Sequence, residues 1–269
     1  MRLAFTKMNG AGNDFILIDN RERTIQLNPD QVQRLCDRQR GIGADGLLLL
    51  EPNVSAQADW SWQFFNSDGG TAEMCGNGAR CFAAFTRRLT GQDDAITFQT
   101  LAGVISATFA GDQVTVTLTE PQDLQMDQTI DLNGIRLTSH SINTGVPHAV
   151  VFVEDADLAM VQEHGQAIRR HPHFAPSGTN VNFVQVLKPG LIRVRTYERG
   201  VEGETLACGT GVSAAAMITS QKRLAAPPIN VQVQGGDVLT VDFRSSGVGF
   251  EDVKLTGPAE FVFTGEIEI

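Results

Sequence analysis

This 269-residue chain has no long apolar run. Apolar stretches such as 47–50 fall far short of the ~20 residues that a membrane helix needs. The opening Met1-Arg2-Leu3-Ala4-Phe5 lacks the apolar core of a secretory signal. Cysteine is scarce: four residues form neither a disulfide framework nor a zinc spacing. Thiols kept reduced in a cytoplasm are the expectation. Positive charge is in deficit, with 21 Lys and Arg against 31 Asp and Glu, net −10. That balance argues against a general nucleic-acid surface, which needs a basic patch. The pairs Arg87-Arg88 and Arg169-Arg170 read as solvated helix ends. The glycine-rich turn Gly41-Ile42-Gly43-Ala44-Asp45-Gly46 lacks the Lys-Ser/Thr ending of a phosphate loop, and a strand follows it instead of a helix. There is no dinucleotide fingerprint and no lysine in a recognisable pyridoxal setting, so neither a cofactor nor a metal is expected. The composition, 42% apolar and 19% charged, is that of a globular protein. The length suits one large domain or two ordinary ones.

What is present is a repeat. Cys75-Gly76-Asn77-Gly78 returns as Cys208-Gly209-Thr210-Gly211, 133 residues later. Gly12-Asn13-Asp14-Phe15 and Gly145-Val146-Pro147-His148 share that offset. Two landmarks with one offset indicate an internal duplication.

The order of elements supports it. Strands are expected at 1–8 and 15–19, then a helix opened by Asn28-Pro29-Asp30 and stopped at Gly41. On that helix Val32, Leu35 and Cys36 share one face. Strands follow at 47–51 and 60–66, then a polar loop and a helix at 79–89. Strands at 95–100, 104–109 and 114–119 complete the half. Glu120-Pro121-Gln122-Asp123 reads as a boundary. The pattern restarts with strands at 139–144 and 149–153, a helix at 158–170, strands at 181–187 and 191–197, a polar loop, and a helix from the second cysteine to about Gln221. A hairpin around Gly235-Gly236-Asp237 and a final pair of strands close the chain. The expected fold is α/β: two pseudo-symmetric lobes, each a curved, mostly antiparallel sheet around a central helix. The N-terminal lobe spans 1–119, completed by the strand at 258–269, and the C-terminal lobe spans 120–257.

A cysteine ahead of Gly-x-Gly at a helix start has a physical use. The first N–H groups of a helix lack partners and carry partial positive charge. In such a field a thiol pKa falls from about 8.5 to ~3.5–7.5. The same N–H groups bind carboxylates, and glycine lets a ligand approach the backbone. Two such motifs suit a two-base reaction at a carbon bearing a carboxylate. One thiolate removes the Cα proton and the other thiol returns one to the opposite face, giving racemisation or epimerisation. Cys36, and Cys81 within the first cysteine helix, read as packing residues. By spacing alone, His148 divides between a structural hydrogen bond and a site role. Glu198 and Arg199 read as part of a solvated loop.

Several blocks resemble the signatures of the diaminopimelate epimerase family. They are Met8-Asn9-Gly10-Ala11-Gly12-Asn13-Asp14-Phe15, Asn66-Ser67-Asp68-Gly69, Cys75-Gly76-Asn77-Gly78-Ala79-Arg80-Cys81, Tyr197-Glu198-Arg199-Gly200 and Ala207-Cys208-Gly209-Thr210-Gly211. The resemblance implies a pyridoxal-independent epimerase of LL- and meso-diaminopimelate in lysine and peptidoglycan-precursor synthesis, and a homodimer. It implies that Cys75 and Cys208 are catalytic. It implies that Gly76-Asn77 and Gly209-Thr210 are the backbone cradles and that Asn13, Asn66, Asn180 and Arg199 hold substrate. It places Glu198 and His148 at positions that stand beside the thiols in that family. Some members carry Gln where this chain has Gly46 and Asn where it has Val146, both substrate contacts there. Alternatives are a racemase of proline, hydroxyproline or glutamate on the same fold, and a thiol redox or metal-binding protein. The absence of any CxxC and of a His-rich cluster argues against the last.

Overall fold

The computed structural model describes residues 2–55, 57–132, 134–246 and 249–269. The first half of the chain runs β1 (Arg2–Gly10), β2 (Asn13–Asp19), α1 (Pro29–Cys36), β3 (Gly46–Pro52), β4 (Trp60–Asn66), α2 (Gly76–Thr90), β5 (Ile96–Thr100), β6 (Gly103–Ala110) and β7 (Gln113–Thr117). The second continues with β8 (Gln122–Leu132), β9 (Ile135–Asn143), β10 (Pro147–Phe152), α3 (Val161–Arg169), β11 (Asn180–Lys188), β12 (Leu191–Glu198), β13 (Gly203–Thr205), α4 (Gly209–Gln221), β14 (Ile229–Gln232), β15 (Val238–Ser246) and β16 (Gly249–Pro258). A last strand, β17 (Glu260–Glu268), ends the chain. The chain divides into two compact units, Met1–Thr117 with Gly257–Ile269, and Leu118–Thr256.

In the first unit β1 and β2 pair antiparallel, β2 and β3 parallel, β3 and β4 antiparallel, β4 and β5 parallel, and β5, β6 and β7 antiparallel. In the second, β9 and β10 pair antiparallel, β10 and β11 parallel, β11 and β12 antiparallel, β12 and β14 parallel, and β14, β15 and β16 antiparallel. The two sequences of pairings are the same, so the duplication seen in the cysteine motifs extends to the backbone. The outer strand differs in origin. Beside β1 lies β17, from the far end of the chain, whereas beside β9 lies its sequence neighbour β8.

Each sheet encloses a helix. α2 packs on β1, β2, β3 and β7, and Phe82 sets its ring against Trp62 and Phe98 at 5.7 and 4.8 Å. α4 packs on β9, β10, β11, β12, β14 and β15. Its residues Gly211 to Thr219 are all buried, and a helix covered on every side needs small and apolar residues throughout. Gly-Thr-Gly-Val-Ser-Ala-Ala-Ala-Met-Ile meets that need. α2 ends at Gly91, whose φ of 70° is the left-handed helix cap that glycine adopts without strain.

Several elements differ from the sequence reading: α2 begins at Gly76 and not at 79, and α3 spans Val161–Arg169 and not 158–170. α1 stops at Cys36, because the Asp37 carboxylate accepts from the amides of Gln39 and Arg40 and turns the chain early. Gly41 instead lets the chain fold back over α1; a Cβ there would lie 2.0 Å from the Arg34 carbonyl oxygen. Strand β8 was not expected. It is a polar edge strand with register shifts and left-handed residues at Asp123 and Asp127, and of its residues only Ile130 is buried. The loop 198–205 contains the short strand β13.

Candidate active site

Cys75 caps α2. Its backbone is extended (φ −144°, ψ 118°), and its sulfur accepts a hydrogen bond from the Gly78 amide at 3.4 Å. A thiol therefore takes the place of the usual capping oxygen. The first turn holds no acidic residue to offset the helix's positive end.

Asn77 is locked at both ends of its amide. Its Nδ2 donates to Asn13 Oδ1 at 2.5 Å, and its Oδ1 accepts from Arg80 Nη2 at 3.1 Å. Asn13 Nδ2 in turn donates to Asp45 at 2.9 Å. A guanidinium only donates and a carboxylate only accepts, so the sense of both amides is fixed. Arg80 is fully buried, and it also donates to the carbonyls of Gly76 at 3.2 Å, Pro258 at 3.3 Å and Gly10 at 3.4 Å. At the other end Arg38 joins Asp45 and Asp14, each at 2.8 Å, and Lys7 meets Asp14 at 2.8 Å. Burial raises the Asp14 carboxyl, but the hydrogen bonds from Arg38 and Lys7 prevail and bring it to about 2. Asn66 lies at the same corner, as the register partner of Gly46. A Cβ on Gly46 would stand 2.8 Å from the Phe64 ring and 2.8 Å from the Phe65 carbonyl oxygen. Packing thus leaves no room for a side chain at position 46.

Cys208 caps α4 in the same extended conformation (φ −128°, ψ 107°). Its sulfur lies 3.5 Å from Thr210 Oγ1, which lies 3.0 Å from His148 Nε2. His148 Nδ1 meets Asn182 Nδ2 at 3.2 Å. Burial, with the Arg199 guanidinium adding to it, pushes the His148 imidazolium down to about 3. The Thr210 carbonyl accepts from Thr144 Oγ1 at 3.1 Å, which pins the first turn. His148 and Asn180 are register partners across β10 and β11. Asn180 Oδ1 accepts the Arg199 amide at 2.7 Å, while the Arg199 side chain reaches the Ser177 carbonyl at 3.2 Å. Glu198 ends β12, half-buried. Val146, the duplication counterpart of Asn13, sits half-buried between β9 and β10.

The expected residues therefore collect in two sets. Asn13, Asn66, Cys75, Gly76 and Asn77 gather in the first unit, and His148, Asn180, Glu198, Arg199, Cys208, Gly209 and Thr210 in the second. The sequence reading missed Asp45 and Arg38 in the first set and Asn182 in the second. Asn182 left a signal, a polar residue inside the apolar run Val181-Asn182-Phe183-Val184. Cys36 and Cys81 are buried, and burial pushes both thiols up to about 12, which suits packing. Among the described residues no cluster of three His, Cys, Asp or Glu could hold a metal ion.

The fold defines a class. It matches the crystal structure of a PhzF-family phenazine biosynthesis protein from Bacillus anthracis, with a TM-score of 0.78, 15% identity and full coverage of both chains. It also matches a hydroxyproline epimerase from Agrobacterium vitis, with a TM-score of 0.75, 18% identity, and 99% and 91% of the two chains covered. At these identities the likeness is one of fold. Sequence narrows the class. A family model described as diaminopimelate epimerase matches residues 5–123 and 140–262. A protein of that name from Aquifex aeolicus is 44% identical over 98% of each chain, and one from Chromobacterium violaceum is 42% identical over 100% of each. The chain belongs to the diaminopimelate epimerase family.

Proposed function

We propose that this protein interconverts LL- and meso-2,6-diaminopimelate without pyridoxal, in lysine and peptidoglycan-precursor synthesis. The observation that carries the reading is a cysteine at the N-cap of the enclosed helix in each of two duplicated units, Cys75 on α2 and Cys208 on α4. Inversion asks for one acid–base group on each face of the α-carbon. In this reading one cysteine acts as thiolate and removes the proton, and the other acts as thiol and returns one. The carbanion is the costly species. The amides of Gly76 and Asn77, and of Gly209 and Thr210, bind the carboxylate on which its charge develops. Donors of this kind are worth about 2.7–4 kcal/mol each where one has been removed from a hydrolase, and placed acid–base groups add ~10²–10⁴-fold. Asn13, Asn66, Asn180 and Arg199 hold the substrate. The planar guanidinium of Arg199 suits the distal carboxylate. Glu198 and His148 support the thiols.

We place the protein in the cytoplasm, where thiols stay reduced. Among the described residues no helix is long and apolar enough to cross a membrane. A homodimer belongs to the same proposal. Val262 and Phe263 on β17, 55% and 48% exposed, are apolar residues that a second copy would cover.

The test is Cα exchange in D2O with LL- or meso-diaminopimelate and no added cofactor. Deuterium entering with inversion, and lost in both Cys75→Ala and Cys208→Ala, is the expected result. Exchange with proline or hydroxyproline but not with diaminopimelate would keep the chemistry and replace the substrate. No exchange with any amino acid would end the reading. Sedimentation velocity of the intact protein and of Phe263→Glu tests the dimer.

A further inference from the structure

The two units bury different chemistry beneath equivalent helix starts. In the first, Phe15 pairs with Gly46, and Leu17 with Leu48. In the second, His148 pairs with Asn180, and Val150 with Asn182. His148 thus stands where the duplicate has Phe15, and Asn182 where it has Leu48. All four side chains are nearly or fully buried. The nearest side-chain atom to a Cβ on Gly78 of α2 would be in the Phe15 ring, at 3.4 Å. On Gly211 of α4 it would be Asn182 Oδ1, at 2.3 Å. The glycine of the second motif is required because an asparagine side chain presses against the helix. An apolar pair fills this space in one unit, so a buried amide and imidazole in the other are not demanded by packing, and they cost stability unless every polar atom is met.

They are met, and in one sense only. Asn182 Nδ2 faces the Ala149 carbonyl at 3.0 Å, an acceptor that cannot donate. Asn182 Oδ1 accepts from Thr196 Oγ1 at 2.9 Å. The amide is therefore fixed with nitrogen toward His148. The second Nδ2 hydrogen points to His148 Nδ1 at 3.2 Å, so Nδ1 accepts and carries no proton. In a neutral imidazole the proton then sits on Nε2, which donates to Thr210 Oγ1 at 3.0 Å. With its oxygen accepting there, the Thr210 hydroxyl hydrogen is left to donate toward Cys208 Sγ, 3.5 Å away.

We propose that Asn182 is a positioning residue: it sets the His148 tautomer so that the Thr210 hydroxyl donates to the Cys208 sulfur and favours its thiolate. His148 is then a fixed donor and not a base. The relay serves Cys208 alone, since Phe15 and Leu48 cannot reproduce it at Cys75. The inference rests on Cys208 as a proton-transfer thiol, but its primary test needs no turnover.

The test is a long-range ¹H–¹⁵N spectrum of the histidine side chains in the intact protein, with His148→Gln identifying the signal. The expected result is protonated Nε2 and bare Nδ1 from pH 8 to pH 5. A protonated Nδ1 would overturn the proposal in the wild-type protein, whatever any variant does. The second arm follows the pH profile of Cys208 alkylation by mass spectrometry. Asn182→Ala should move its midpoint up by about one to two pH units, the equivalent of one hydrogen bond to a charged group. The Cys75 midpoint should stay in place. Asn182→Gln, with its longer amide, should restore neither the tautomer nor the midpoint. Should Asn182→Ala slow exchange while tautomer and midpoint hold, Asn182 is structural and the proposal fails. If the tautomer is as stated but no amino acid exchanges, the positioning argument stands and the assigned reaction falls.

Discussion

His148 is 0% exposed, and its imidazolium is pushed down to about 3, so the folded chain refuses a proton that the unfolded chain takes near pH 6.5. Above pH 6.5 the group is neutral in both states and stability does not depend on it. As pH falls from 6.5 toward 3, stability is lost by about 1.4 kcal/mol per unit. His140 is lowered in the same sense, by burial and then by Lys222, so it adds to the slope. Asp14 contributes only further down, its stabilisation being lost as pH falls from 3.8 to about 2. Urea midpoints should therefore decline between pH 6.5 and 5, and His148→Gln should flatten that decline. Equal slopes in both proteins would remove His148 as its origin. The cysteines divide at this scale too. Cys36 and Cys81, pushed up to about 12 by burial, should resist alkylation at pH 8 in the native protein. Labelling of either by iodoacetamide under native conditions would show that its helix opens far more readily than its packing implies.

At the scale of the element, the Cys-Gly-x-Gly motif is not one device used twice. A Cβ on Gly78 would meet Phe15 at 3.4 Å, an ordinary contact. Gly78→Ala is expected to be neutral or to raise the melting temperature, through up to ~1 kcal/mol of helix propensity. A Cβ on Gly211 would stand 2.3 Å from Asn182 Oδ1, whose amide cannot swing aside without leaving Thr196 and Ala149. Gly211→Ala should cost about 1–3 kcal/mol as overpacking does. Thermal melts of the two variants check both signs, and equal effects would contradict the asymmetry. Helix boundaries were legible where their signals are local: Asn28 and Gln31 form the capping box that starts α1, and Gly91 ends α2. β8 was not, because an exposed edge strand carries little apolar alternation, and its partner β9 supplies the pairing.

For the whole molecule, the outer strand of the first unit comes from the end of the chain. β17 pairs with β1 from Arg2–Glu268 to Asn9–Glu260, and Ile267 packs on the cluster of Leu3, Phe5 and Ile16. Removing residues 259–269 would bare the β1 edge and part of that cluster. The truncated protein is expected to lose its cooperative melt or to aggregate, as unpaired apolar edges do. A truncation that melts as the intact protein does would show β17 to be dispensable. The sequence by itself determined the duplication, the two cysteine helix starts and the family, because each is written in residues close together and in a spacing that repeats. It also supplied the expected site residues, through motifs that resemble the family's. Only the tertiary structure decided which amide faces which partner. Asn13 meets Asp45 across 32 positions and Asn182 meets His148 across 34, and no local pattern encodes such pairs. The sense of each amide depends on an acceptor brought by another strand. The closed position at Gly46, the glycine that Asn182 requires at Gly211, and the neutral His148 exist only once the strands have packed around their helices.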